Sequence, residues 1–464
     1  MDYEVLVIGA GPGGYHAAIR AAQMGKKTAC VEAEYLGGVC LNVGCIPTKA
    51  LLHVADELRS AQHAGDFGVT FAKPDINLEA MNKWKDGVVK KLTGGVGVLL
   101  KGNGVEVFDG TATFKDAHTV QIGDKSVSAE KIIVATGSEP IEIPGFETNG
   151  DTIVNSTGAL LLSEVPKRFL TIGGGAIGLE FADIYHALGA EVTVVELLDQ
   201  IVPTSDADAA NELAKSFKKR GITIKTKTKA VKCEETADGL EVTLENTAGE
   251  QETLTVDKIL VAVGRKPRGA GLGLEELGVT VERGYLPVNE HMQTKVPHIY
   301  AIGDVARAPL LAHKAMKEGL VAAEHAAGKP AAYDTIVPNV VYTSPELASV
   351  GMTEKEAREA GREVRVGIFP LQASGRAMTL GVNEGLVKVI GDAQSDLLLG
   401  FHMVGPSAGD MVSEAALAIE MGATLEDISL TQHAHPTLGE SFMEAAEAAH
   451  GLSIHLPKPR KRKD

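Results

Sequence analysis

Residues 5–14 read VLVIGAGPGG, and residues 168–178 read RFLTIGGGAIG. Each is an apolar run that breaks into Gly-x-Gly-x-x-Gly: Gly9, Gly11 and Gly14 in the first, Gly173, Gly175 and Gly178 in the second. Both continue alike, through a helix-like segment to a glycine 11 residues past the third motif glycine (Gly25, Gly189). A strand-like run then ends in an acid 18 residues past it (Glu32, Glu196). One such motif in a chain with 52 glycines among 464 residues carries little weight. Two copies with strand, helix and acid in matching places define a duplication. The first glycine permits the tight turn, the second lets the backbone approach a pyrophosphate, and the third lets helix pack on strand. The helix N-terminus faces the phosphates, and the acid hydrogen-bonds ribose hydroxyls. The spacing predicts two dinucleotide-binding βαβ units in an α/β chain.

A second repeat closes each unit. Residues 131–140, KIIVATGSEP, match residues 258–267, KILVAVGRKP. Each reads as a buried parallel strand ending in a glycine, Gly137 or Gly264, beside a ligand. Residues 298–304, HIYAIGD, read as another strand ending in Gly303-Asp304, a place for a ligand hydroxyl or phosphate. Beyond about residue 336 the texture changes. Segments 337–342, 364–369, 386–390 and 397–404 read as strands, and 411–421 and 438–449 as helices. This third region has no nucleotide fingerprint and reads as α+β.

A prior of roughly 150 residues per domain also suggests three domains. Lys plus Arg number 45 against 61 Asp plus Glu, a net charge of −16, which argues against a nucleic-acid partner. With 44% hydrophobic and 23% charged residues the chain is not a disordered one. It has no basic segment followed by an apolar one at its start, and no run approaches 18 consecutive apolar residues. The expectation is a cytoplasmic protein with no membrane segment. The basic residues Lys458, Arg460, Lys461, Arg462 and Lys463 read as a solvated terminus more readily than as a docking arm.

Residues 37–50 read GGVCLNVGCIPTKA. Four cysteines in all do not make a disulfide-stapled scaffold, but Cys40 and Cys45 lie a few residues apart beside a cofactor loop, which suggests a redox-active pair. Zinc would need a second ligand pair at suitable spacing, and no metal site is expected. Incidental thiols are the other open reading. Cys30 and Cys233 read as packing cysteines.

Gly-Gly-x-Cys-Leu-Asn-x-Gly-Cys-Ile-Pro-x-Lys after an N-terminal Gly-x-Gly-x-x-Gly resembles the pyridine nucleotide–disulfide oxidoreductase family, over nearly the whole chain. The resemblance implies two Rossmann-like dinucleotide-binding domains plus a C-terminal α+β dimerisation domain. Residues 1–145 and 270–335 would bind FAD, 146–269 would bind NAD, and 336–464 would form the interface. It implies one tightly bound, non-covalent FAD per subunit, on Gly9, Gly11 and Gly14 with Glu32 at the adenosine ribose. Gly38, Gly137, Asp304 and Ala312 (in LLAHKA) would add contacts. Lys49 would lie beside the flavin with Glu180 (in GLEFA) as its carboxylate partner. Without the resemblance those two read as an ordinary helix lysine and an acid on an amphipathic helix. Gly173, Gly175, Gly178, Gly264 and Glu196 would hold NAD. An acid followed by Leu197, Leu198 and Asp199, with no arginine, suits a free ribose 2′-hydroxyl rather than a 2′-phosphate.

Residues 433–440, HAHPTLGE, resemble the family's His-x-His-Pro-Thr-x-x-Glu signature. His435 would be the base, an ordinary imidazole pKa of about 6.5 suiting the task, and Glu440 would orient it. Thr437-x-x-Glu440 also reads as a capping box, and His433 as a packing residue. Within the family the nearest likeness is to members serving 2-oxo acid dehydrogenase complexes. That likeness implies oxidation of protein-bound dihydrolipoamide to lipoamide, with reduction of NAD through a Cys40/Cys45 disulfide. The implied partners are the lipoyl-bearing and subunit-binding domains of an acyltransferase, and a second copy of the chain. Met411, Val412, Ala415, Ala416 and Ile419 form an apolar stripe that either faces that copy or fills the domain's own core.

Overall fold

Each glycine motif sits where a buried strand runs out. The computed structural model describes residues 1–161 and 163–457, so the basic residues from 458 onward lie outside it. Strand Tyr3–Ile8 leads into helix Pro12–Gln23, which Pro12 opens at a position where no backbone N–H is needed. The helix stops at Gly25, which takes a left-handed φ of +80°. Strand Thr28–Glu32 returns alongside. In the second copy strand Arg168–Ile172, helix Ala176–Ala187, Gly189 (φ +108°) and strand Glu191–Val195 follow the same course.

The two sheets repeat each other strand for strand. In the first, Glu106–Asp109, Thr28–Glu32, Tyr3–Ile8 and Lys125–Val134 lie side by side in parallel, and Ile299–Ala301 adds to the last. In the second the parallel order is Thr223–Lys225, Glu191–Val195, Arg168–Ile172, Lys258–Val261, with Ile153–Val154 added to the last. Backbone bonds match too: Gly9 N–H reaches Val31 O at 2.7 Å and Gly173 N–H reaches Val195 O at 2.8 Å. Each copy also inserts antiparallel strands before its closing strand, Ala112–Phe114 and Thr119–Ile122 in the first, and Thr228–Thr236, Gly239–Asn246 and Gln251–Val256 in the second. The stretches leaving the two closing strands, Ser138–Pro140 and Arg265–Pro267, pair with each other as a two-stranded antiparallel link.

The third region is a five-stranded antiparallel sheet in the order Asn339–Val341, Glu346–Gly351, Leu398–Gly405, Leu386–Asp392, Val364–Pro370. Helices Ala408–Glu420 and Glu440–Ala449 pack on it. Strand Glu346–Gly351, absent from the sequence reading, is interior to the sheet. The stripe on Ala408–Glu420 serves this core: Val412 and Ala415 are buried, and Met411, Ala416 and Ile419 pack against them. Leu417 and Met421 are the exposed apolar residues there, at 60% and 75%.

By length and composition alone, residues Gly38–Phe67 (mean hydropathy 1.3) could cross a membrane. They form two helices, Gly38–Val43 and Cys45–His63, broken at Gly44, and Leu51 and Leu52 are buried in the protein's own core.

Candidate active site

The glycines of the two loops differ in what surrounds them. Gly9 (φ +101°) and Gly173 (φ +112°) take a conformation that side chains resist. A Cβ on either would strike the carbonyl oxygen of the closing strand, Ala135 or Ala262. At Gly14 and Gly178 a Cβ would fall on the carbonyl oxygen of the motif's own first glycine, so helix could not close on strand. The middle glycines are open. A Cβ on Gly11 would meet only Gly38 Cα, at 4.0 Å, and one on Gly175 would meet nothing within 4 Å. That free space lies where a pyrophosphate must approach the backbone, so both loops fit a dinucleotide.

The two acids are held alike. Glu32 accepts from Ala10 N–H at 2.6 Å and Glu34 N–H at 2.9 Å, and Glu196 accepts from Gly174 N–H at 2.7 Å and Leu198 N–H at 2.8 Å. Each carboxylate is thereby fixed at the end of its strand, at the edge of the cleft.

One cleft of about 1600 Å³ joins both loops. It exceeds the roughly 300–1,000 Å³ of a single small-ligand pocket. Gly9, Gly11, Gly14, Glu32, Gly38, Lys49, Gly137, Asp304 and Ala312 line it, as do Gly173, Gly175, Glu196 and Gly264. Gly178 does not; it is the buried contact between helix and strand. Cys40, Cys45 and Glu180 face the same space.

Cys40 and Cys45 are joined by a disulfide with Cα atoms 4.6 Å apart, across the break between the two short-linked helices. A Cβ on Gly38 (φ +57°) would stand 2.7 Å from Gly11 Cα, so the Gly37-Gly38 turn lets the disulfide helix abut the first phosphate loop. Further along, Lys49 Nζ donates to both Glu180 oxygens at 2.7 Å. Glu180 comes from the helix of the second motif, its side chain is 5% exposed, and it also accepts from Tyr342 N–H at 3.0 Å. The Tyr342 ring lies 4.6 Å from the Lys49 ammonium. The ion pair thus ties the disulfide helix to the second dinucleotide unit and to the third region at one point. By contrast Cys30 is fully buried, which pushes its thiol up out of reactive range, and burial also raises Cys233.

Asp304 follows a turn clamped on both sides. Gly303 N–H donates to Glu318 at 2.7 Å and Gly303 O accepts from Lys314 at 3.2 Å, while Lys314 and Glu318 pair across one turn of helix Ala312–Ala326. Glu318 and Lys314 are buried, and burial holds the Lys314 ammonium below its usual range despite Glu318. The sequence reading missed both. A lysine and a glutamate four apart just after Gly303-Asp304 were the available signal.

His435 stands apart from the cleft. Its side chain is 81% exposed, and its Nδ1 lies 2.8 Å from Glu440 Oε1. Glu440 opens helix Glu440–Ala449 and accepts from Thr437 N–H at 2.8 Å through its other oxygen. The helix is capped at Gly439 with no side-chain bond and the Thr437 hydroxyl turns to Ala434 O, so the expected capping box does not form, and Glu440 bonds His435 and Thr437 at once. Burial pushes the Glu440 carboxyl up, but Thr437 N–H and His435 outweigh it and hold it low. His433 packs against Glu414 at 3.1 Å. Within one chain, then, the disulfide and the histidine do not share a space.

Residues 3–319 match the family model described as pyridine nucleotide-disulphide oxidoreductase, and residues 337–446 match that family's dimerisation domain. The chain is 57% identical to a dihydrolipoyl dehydrogenase of Thermus scotoductus over 98% of this chain and 99% of the relative. It is 46% identical to the dihydrolipoyl dehydrogenase of Bacillus subtilis over 99% and 98%. Among solved structures it resembles LpdA from Mycobacterium tuberculosis, with a TM-score of 0.88 at 28% identity over 96% and 99% of the two chains. The HOCl-induced flavoprotein disulfide reductase RclA of Escherichia coli gives 0.85 at 28% identity over 96% and 99%.

Proposed function

The chain belongs to the pyridine nucleotide-disulphide oxidoreductase family, and from that membership we propose that it oxidises dihydrolipoyl groups to lipoyl groups with reduction of NAD. The observation that carries this reading is the Cys40–Cys45 disulfide lining one cleft with both dinucleotide loops. FAD and NAD are its cofactors. The open space at Gly11 and the carboxylate of Glu32 support FAD on the first loop, and Gly175 and Glu196 support NAD on the second. FAD, when bound, supplies the two-electron relay between thiols and nicotinamide.

The protein's own residues perform the thiol chemistry. His435 takes the proton from one substrate thiol, and the thiolate attacks Cys40 Sγ; a mixed disulfide forms and Cys45 leaves as a thiolate. The second substrate thiol attacks the mixed disulfide, its proton passing to the departing Cys40 sulfur. The substrate's own disulfide closes, Cys40 is released, and the enzyme disulfide has gained the two electrons the substrate lost. Lys49, held by Glu180, lines the same cleft and would place its cation beside the flavin. Glu440 keeps the His435 ring oriented.

The dimerisation domain makes the working unit a homodimer. The exposure of His435, outside the cleft of its own chain, supports its serving the disulfide of the other subunit. The return of Ile299–Ala301 to the first sheet supports dividing the chain into 1–145 with 270–335, 146–269 and 336–464. The reading places the enzyme in the cytoplasm, on the lipoyl-bearing and subunit-binding domains of a 2-oxo acid dehydrogenase acyltransferase.

The test mixes Cys40→Ser subunits with His435→Ala subunits, each inactive alone, under conditions that exchange partners, and measures NADH formed from dihydrolipoamide. With shared sites a heterodimer contains one site bearing both lesions and one bearing neither, so activity returns. No activity at any mixing ratio, with exchange proven, would place His435 in its own subunit's site or outside the reaction.

A further inference from the structure

The two links between the dinucleotide units leave their closing strands in equivalent places, yet the residue after the glycine differs. The first has Ser138 after Gly137, and the second has Arg265 after Gly264. The links pair antiparallel with Arg265 opposite Pro140, Lys266 opposite Glu139 and Pro267 opposite Ser138. Arg265 and Ser138 are therefore diagonal neighbours on one face, within reach of a long side chain. Arg265 uses that reach: its Nε donates to Ser138 Oγ at 2.8 Å and its Nη2 donates to Ser138 O at 2.6 Å. Ser138 is 3% exposed, and its hydroxyl donates to Asp304 Oδ2 at 2.5 Å. No carboxylate among the described residues lies within ion-pair distance of Arg265, although Glu139 in the same link pairs with Lys266 and Arg268.

The polarity of this chain is fixed. A hydroxyl has one proton. Because Ser138 Oγ accepts from a guanidinium that only donates, its proton must go to Asp304, which only accepts when ionised. A cation at one end and an anion at the other strengthen both bonds. We propose that Arg265 is a positioning residue for the flavin: from the link that leaves the closing strand of the second dinucleotide unit, it holds Asp304 of the first through Ser138. Two devices then converge on Asp304. Lys314 and Glu318 clamp the backbone before it, and Arg265 with Ser138 fixes its carboxylate across the domain link. The inference rests on the reading that Asp304 meets FAD.

Flavin release from the purified holoenzyme, followed by recovery of flavin fluorescence, tests it. Arg265→Gln and Ser138→Ala each remove two hydrogen bonds made with a charged group, and each should speed release by about tenfold or more. The double variant should be no faster than the faster single one, because both break one chain. The apoprotein unfolding temperature should fall by less than that of the holoenzyme in either variant. Unchanged release, additive effects in the double variant, or apoprotein variants that melt earlier by as much as the holoenzymes would each overturn it. Should Arg265→Gln not fold, Ser138→Ala alone decides by its release rate. Wild-type protein that binds no flavin would refute the proposed function instead.

Discussion

The Lys49–Glu180 pair supports a lopsided prediction. Lys49→Met strands a carboxylate whose side chain is 5% exposed, with Tyr342 N–H at 3.0 Å as its remaining bond. Removing one partner of a buried pair costs about 3–5 kcal/mol. The Lys49 side chain is 33% exposed, so water can reach the vacated place, and the lower end, about 3 kcal/mol, is expected. Glu180→Gln keeps an oxygen for Tyr342 N–H and leaves an ammonium that can turn to water while remaining over the Tyr342 ring. It should cost about 1 kcal/mol. The double variant removes both charges and should cost about 1–2 kcal/mol, less than the sum, a coupling of about 2–3 kcal/mol. Because the chain has several domains, the readout is local: amide hydrogen exchange of peptides spanning helix Cys45–His63 under native conditions. Lys49→Met should speed exchange there about a hundredfold and Glu180→Gln under tenfold, at roughly 1.4 kcal/mol per factor of ten. Equal effects of the two single changes, or strict additivity in the double, would refute the argument that Glu180 is the member that cannot do without its partner.

Three further outcomes are expected. Lys388, 2% exposed, bonds Asp206, Asp208 and Glu354 at the join between the second and third regions, so Lys388→Met should cost about 3–5 kcal/mol at pH 7. The Lys388 bond holds Glu354 below its usual pKa, and stability from a lowered carboxylate is lost as pH falls through it, so the thermal-unfolding gap to wild type should close below about pH 4. The Glu414 hydrogen bond raises the His433 pKa, and stability from a raised group is present below its unfolded value, about 6.5, and lost above the folded one. Glu414→Gln should therefore lower the unfolding temperature at pH 5.5 and leave it unchanged at pH 9, by under about 1 kcal/mol since Glu414 is 46% exposed. Glu196→Arg should narrow the preference for NAD over NADP in kcat/KM; equal efficiency in the unaltered enzyme would contradict the role given to that acid.

What could be read in advance follows a physical divide. Gly9 and Gly173 answer to backbone sterics, and a positive φ beside a carbonyl oxygen leaves no other residue type, so the motif survives in the letters. The acids Glu32 and Glu196 occupy the same register in both copies and could be found by counting. Strand Glu346–Gly351 was missed because ELASVG after Ser344-Pro345 mixes small and polar residues, and on one side its burial comes from strand Leu398–Gly405, far along the chain. The Lys314–Glu318 pair was visible as an i,i+4 spacing, but its grip on Gly303 was not, and the Arg265–Ser138 bond was illegible because nothing local marks a charged side chain whose partner is brought by tertiary folding. The stripe on helix Ala408–Glu420 had two consistent uses, and only packing decided between a core and an interface.

Dihydrolipoyl substrates are expected to reduce the Cys40–Cys45 disulfide in a flavin-bearing cleft. Anaerobic titration of the purified protein with dihydrolipoamide, followed by absorbance, tests it most directly. A flavin spectrum is expected at the outset and, after two electrons per subunit, a long-wavelength charge-transfer band whose donor is the Cys45 thiolate. Cys45→Ser should abolish that band, and Cys40→Ser should show it before any reductant is added. A protein without flavin, a titration that leaves the disulfide intact, or a band that survives Cys45→Ser would rule out this route for the electrons.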